Sequence, residues 1–167
     1  MTEKFSLDLI SKSHEKYENL RVVPIILNID EKEVKTELNV YKLFSPVKIQ
    51  ECVSEFISNI DKVRRRKNNR DGFGVVLEPY LMWLMIKYFT ELEDSMPTKF
   101  DEQIDSIIKM INTGAMFQIM IHFDESQIEL VKEHIEIALD TFDKNKEVLD
   151  NLKLEYSKKI VDKSLLD

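Results

Sequence analysis

The sequence has few residues that break or cross-link a chain: three glycines, four prolines and one cysteine in 167 positions. A single thiol, Cys52, excludes an internal disulfide; set in an apolar helical pattern, it fits a reducing compartment and packs as a small hydrophobe. No apolar run reaches the roughly 18 residues of a bilayer-spanning helix, and Met1 to Ile10 carries charge where a secretory leader needs an apolar stretch. The expectation is a protein of the cytoplasm without a membrane contact. Basic charge is in deficit too, with 24 Lys plus Arg against 31 Asp plus Glu and a net charge of −7, which argues against nucleic acid as a partner.

Chemical signatures are missing as well. His14, His122 and His134 show no mutual spacing of three or four residues, so with one cysteine no zinc template is met. Asp143 to Glu147 opens like an oxygen-rich calcium loop, but Val148 stands where the loop needs glycine and Leu154 where it needs glutamate. Gly72-Phe73-Gly74 is a bare pair without the third glycine of a phosphate cradle, and no nucleophile or metalloprotease motif occurs. The reading is a non-enzymatic protein with no cofactor and no metal.

What is present is apolar: 43% hydrophobic residues, nine Phe and five Tyr, enough to require a core. The patterning predicts an α+β fold, mainly helical, in which an N-terminal β-hairpin is followed by about five helices, the last one long. Residues 1–19 read as a flexible arm or short helix, 20–142 as one domain, and 143–167 as a helical extension or frayed tail. Val23, Ile25, Leu27 and Ile29, then Val34, Leu38 and Val40, alternate with period two, giving two strands around a polar turn at Asp30-Glu31-Lys32-Glu33. Pro24 removes a backbone donor and puts the first strand at a sheet edge, leaving an open edge as a contact surface. Ser45-Pro46 starts a helix whose apolar face runs from Val47 to Val63. Residues 79–93 are apolar nearly all round and read as a buried helix. Thr98 with Asp101 resembles a capping box for a helix that Gly114 ends, and Asp124 with Gln127 caps the last helix.

Three patterns have binding potential. Arg64, Arg65, Arg66, Lys67 and Arg70 form a basic run holding four of the five arginines. It reads first as a solvated helix end and second as a contact patch for an acidic partner. An apolar seam through Val131, Ile135, Phe142, Asn145, Leu149, Leu152 and Tyr156 keeps heptad spacing and suits self-association through a coiled coil, Asn145 setting the register. The alternative is a shorter helix on its own domain, frayed after about Lys144. Every methionine except Met1 lies between Met82 and Met120, around Trp83: core filling, or a flexible lining for a client helix.

The order of elements, with Tyr88-Phe89-Thr90-Glu91-Leu92 closing an apolar helix, Ile107 to Gly114 ending the next, and Phe123-Asp124-Glu125-Ser126-Gln127 opening the last, resembles the tail assembly chaperones of long-tailed bacteriophages and prophages. The likeness covers about residues 20–142. It implies a protein of the bacterial host cytoplasm that binds an apolar helical client, the tape measure protein or the tail tube protein, and keeps it competent for virion assembly. The client-binding residues it suggests are Met82, Trp83, Met85, Phe89, Met116 and Met120. The competing reading is a coiled-coil structural or interaction protein that docks an acidic partner.

Overall fold

The structure is a computed structural model that describes residues 4–66 and 77–164, with side chains described as far as Leu154. A short helix α1 (Leu7–His14), capped by Ser6, precedes the hairpin and buries none of its residues. Strands β1 (Leu20–Ile29) and β2 (Lys32–Tyr41) pair antiparallel, with Val23 opposite Leu38 and Ile25 opposite Thr36. The turn is tighter than the polar run suggests. Asp30 (φ 49°) and Glu31 (φ 64°) both take the left-handed conformation that a two-residue hairpin requires, so Lys32 and Glu33 join the strand.

Period-two alternation then divides the hairpin. Val23, Ile25, Leu38 and Val40 are buried on the inner face, while Leu20, Val22 and Ile26 stand exposed on the outer one. A single bridge joins Val40 of β2 to Thr90.

Five helices follow, as the patterning predicts. Helix α2 (Pro46–Arg66) starts where Ser45 Oγ accepts the Lys48 N–H at 3.2 Å, and it buries Ile49, Cys52, Phe56, Ile60 and Val63 along one stripe. Helix α3 (Leu77–Phe89) is the centre of the core, with Trp83, Leu84 and Ile86 wholly inaccessible. It stops because Thr90 Oγ1 donates to the Ile86 carbonyl at 2.7 Å and accepts the Leu92 N–H at 3.1 Å, competing with continued helix. Helix α4 (Phe100–Asn112) departs from expectation at its start: Lys99 occupies the cap position and supplies no side-chain acceptor. The capping box does not form because Asp101 gives its carboxylate to Arg66 at 2.8 Å.

Gly114, at φ 72°, makes the left-handed turn into the short α5 (Ala115–Met120). Helix α6 (Glu125–Ser164) opens on Asp124, whose Oδ1 accepts the Ser126 N–H at 2.9 Å; Gln127 instead accepts the Phe44 N–H at 2.9 Å. Phe44 stacks on Phe89 at a ring separation of 3.6 Å and takes Phe123 edge-on at 5.3 Å, joining the hairpin exit, α3 and the α6 entry. Val131 and Ile135 bury the first half of α6, and Arg64–Asp143 and Lys146–Asp61 pairs fasten it to α2. The helix continues through all of its 40 residues, a length of about 60 Å.

Candidate binding surface flanking the fifth helix

Helix α5 forms a ridge between two apolar grooves. On one side, α3, α5 and α6 enclose about 260 Å³ lined by Leu81, Met82, Met85, Phe117, Met120 and Ile121, with Glu78 and Lys132 at the rim. On the other, the inner face of the hairpin, the segment 92–97 and α4 enclose about 380 Å³ lined by Ile25, Leu27, Leu38, Met96, Met110 and Ile119 among others. Five of the six internal methionines thus line one groove or the other, and the sixth, Met116, is buried in the ridge between them.

Two side chains leave the ridge uncovered: Phe117 is 54% exposed and Ile121 77% exposed, four residues apart and on one side of the helix. The hairpin extends the second groove outward, because Ile29 and Val34 share the inner-face parity of Leu27 yet project past the body and remain exposed. Thioether side chains re-pack at low cost, so grooves lined this way accept apolar surfaces of differing shape.

The model of the YomO family matches residues 7–167. The chain belongs to the YomO family. That family is of Bacillus phage and prophage type, which makes this a phage-associated protein. No curated protein and no solved structure matches the chain.

Within this YomO-family fold, the sequence-predicted binding residues separate. Trp83, Phe89 and Met116 are interior, at 0%, 1% and 0% exposure, and only Met82 among the six is half-buried. Met85 and Met120 are buried but form groove wall. Met96 and Met110 belong to the methionine cluster that the sequence marks as core or lining, though not to the six binding residues it suggests; Phe117 and Ile121 were missed, because the 115–121 segment is apolar on nearly every side and no periodicity distinguishes its exposed positions.

The basic run is likewise divided. Arg64 grips Asp143 with both terminal nitrogens, at 2.8 and 3.0 Å, holding that carboxyl below its usual range; Arg66 holds Asp101; Arg65 is exposed; Lys67 and Arg70 lie outside the described residues. The heptad seam changes character along its length. Val131 and Ile135 are core and Phe142 packs against it, whereas Asn145, Leu149 and Leu152 are exposed, and the side chain of Tyr156 is outside the described part.

A buried polar cluster joins α2, α3 and α4. Glu55 accepts from Lys87 Nζ at 2.6 Å, the Tyr88 hydroxyl at 2.5 Å and Gln103 Nε2 at 2.6 Å. Gln103, fully buried, accepts in turn from the Tyr80 hydroxyl at 3.0 Å, and Asn59 donates to Tyr80 at 2.9 Å. Burial, then the Glu55 charge, pushes the Tyr80 hydroxyl and the Cys52 thiol upward and keeps both protonated. Among the described residues no buried side-chain polar atom lacks a partner, no group of three His, Cys, Asp or Glu is placed to hold a metal, and no helix is long and apolar enough to cross a membrane.

Proposed function

We propose that this YomO-family protein is a non-enzymatic phage tail assembly chaperone of the host cytoplasm. It binds an apolar helical client, the tape measure protein or the tail tube protein, across the two grooves beside α5 and keeps it assembly-competent. The observation that carries the reading is the placement of the methionines: five line open apolar grooves, next to the uncovered Phe117 and Ile121. An amphipathic helix laid along α5 would cover both exposed side chains, and the net charge of −7 keeps such a complex dispersed.

The test is co-expression with tape measure fragments and tail tube protein from the same phage genome, followed by size-exclusion light scattering. The reading expects an otherwise insoluble client to enter a defined complex, and expects Phe117→Asp with Ile121→Asp to abolish that capture at an unchanged melting temperature. Failure of every client to be solubilised, or capture indifferent to both substitutions, overturns it.

A second reading, an oligomeric coiled-coil interaction protein, is favoured by the outer part of α6. Val148, Leu149 and Leu152 are between 46% and 57% exposed, beyond the Lys146–Asp61 pair that joins α6 to α2. It requires a stable oligomer in solution that Leu149→Glu with Leu152→Glu dissociates.

A further inference from the structure

We infer that the cleft between the end of α2 and the start of α4 is a separate docking surface, which takes an acidic helical segment of a partner protein. It lies away from the methionine grooves and does not depend on them. The cleft encloses about 800 Å³, the largest of the cavities described, and Lys62, Arg65, Arg66 and Lys99 bring four cations to it. Lys62 and Arg65 are one helical turn apart on α2, and Lys99 joins them in the lining from the cap position of α4.

Carboxylates already occupy the neighbouring cations. Arg64 holds Asp143 of α6 and Arg66 holds Asp101 of α4, each at 2.8 Å, so this end of α2 receives carboxylates from two helices of its own chain. Lys99 pairs with Glu102 of α4 at 3.3 Å, at an exposed site. Arg65, near the Asp61 charge, holds no carboxylate at bonding distance among the described residues, and Lys62 bonds only a neutral oxygen, Asn59 Oδ1, at 3.1 Å. The complementary pattern is visible in α6 itself, where Glu129, Glu133, Glu136, Asp140 and Asp143 recur at intervals of four and three and the last sits on Arg64. A partner helix with that spacing presents carboxylates at the pitch of Lys62 and Arg65.

Two features select a protein over a nucleic acid. Asp101 and Glu102, paired with Arg66 and Lys99, divide the positive charge of the cleft into separate points, which suits spaced side-chain carboxylates better than a continuous phosphate backbone. The aromatic ring in the cleft, Phe100, has Lys62 Nζ at 5.4 Å and the Arg66 guanidinium at 5.9 Å from its centroid, which takes its face from base stacking.

The experiment is fluorescence anisotropy with the full-length protein. The probes are a labelled Ala-based helical peptide carrying Glu at i, i+3, i+4 and i+7 repeats, its Glu→Gln counterpart, and a single-stranded oligonucleotide of equal length. Binding of the Glu peptide, weakened by salt and weakened at least about tenfold by Arg65→Glu and by Lys99→Glu, is expected. Both positions are exposed, and circular dichroism checks that the variants fold. If a reversal unfolds the chain, Arg65→Gln with Lys62→Gln replaces it and still weakens binding. Equal binding of the Gln peptide, tighter binding of the oligonucleotide, no binding of the Glu peptide, or indifference to the substitutions overturns the inference. Client capture in co-expression is unaffected by these substitutions, which separates a failure here from a failure of the chaperone reading.

Discussion

The carboxamide of Gln118 stands where a third strand would pair with β1: its Oε1 accepts the Ile26 N–H and its Nε2 donates to the Ile26 carbonyl, each at 2.8 Å. Glu91 does the same for β2, accepting the Asn39 N–H at 2.9 Å while its own N–H donates to the Asn39 carbonyl at 3.1 Å. Pro24, two residues before Ile26, shares its outward parity and has no donor to leave unpaired. Each edge is thus bonded at one residue, Ile26 on β1 and Asn39 on β2, and the proline adds a position without a donor on β1, a partial protection of the kind a two-stranded sheet needs.

Replacing Gln118 by Leu reopens β1 at Ile26. The expected cost is about 1 to 2 kcal/mol for two partly solvated hydrogen bonds, together with concentration-dependent self-association. Urea unfolding measures the first and light scattering the second. A variant as stable and as monodisperse as the parent would show that the clamp does not protect the edge.

The Glu55 cluster predicts strong non-additivity. Lys87→Met leaves a carboxylate that is only 15% exposed without its cation and is expected to destabilise by about 3 kcal/mol. Lys87→Met with Glu55→Gln removes both charges and is expected to recover at least half of that loss, since the amide still accepts from Tyr88. Equal and additive losses in a double-mutant cycle would deny the coupling.

Most of the fold is legible in the sequence because local signals agree with tertiary need. Ser45-Pro46, the period-two strands and Gly114 each specify one backbone state, and each is found. The failures have physical causes. Asp30 and Glu31 adopt left-handed angles without a glycine to announce them, and Asp101 abandons its cap for an arginine 35 positions away in sequence. The binding surface was half legible: methionine clustering marks the region, but burial separates Met82 from Trp83 only after α3 is enclosed by its neighbours.

That separation yields a contrast between adjacent residues. Trp83→Ala removes a fully enclosed indole and its 3.1 Å bond to Ser106, so a loss of about 3 to 5 kcal/mol is expected. Met82→Ala trims a half-buried groove wall and is expected to cost about 1 kcal/mol, while weakening client capture as much as Phe117→Asp does. Thermal melts beside co-expression yields separate the two effects. Should Met82→Ala destabilise as much as Trp83→Ala, Met82 belongs to the core and the groove loses its central wall.

The attachment of α6 to α2 depends on pH in a defined direction. The hydrogen bond from Arg64 lowers the Asp143 carboxyl below its ordinary value of 3.8, and the hydrogen bond from Lys146 lowers Asp61 in the same way. A group whose folded value is depressed binds its proton more readily in the unfolded chain, so the stability it adds is complete above the unfolded value and declines as pH falls through the folded one. The pairs therefore hold α6 undiminished at neutral pH and release it only below about 3.8. Arg64→Gln with Lys146→Gln should raise amide exchange in residues 136–147 at about pH 6, and the difference from the parent should vanish on acidification below that window. Because both pairs are solvent-accessible, added salt should shrink the difference as well. No difference at pH 6 would mean that the buried Val131 and Ile135, and not the ion pairs, hold that length of α6 in place; a difference that persists at low pH would mean that the substitutions act other than through the charge of Asp61 and Asp143.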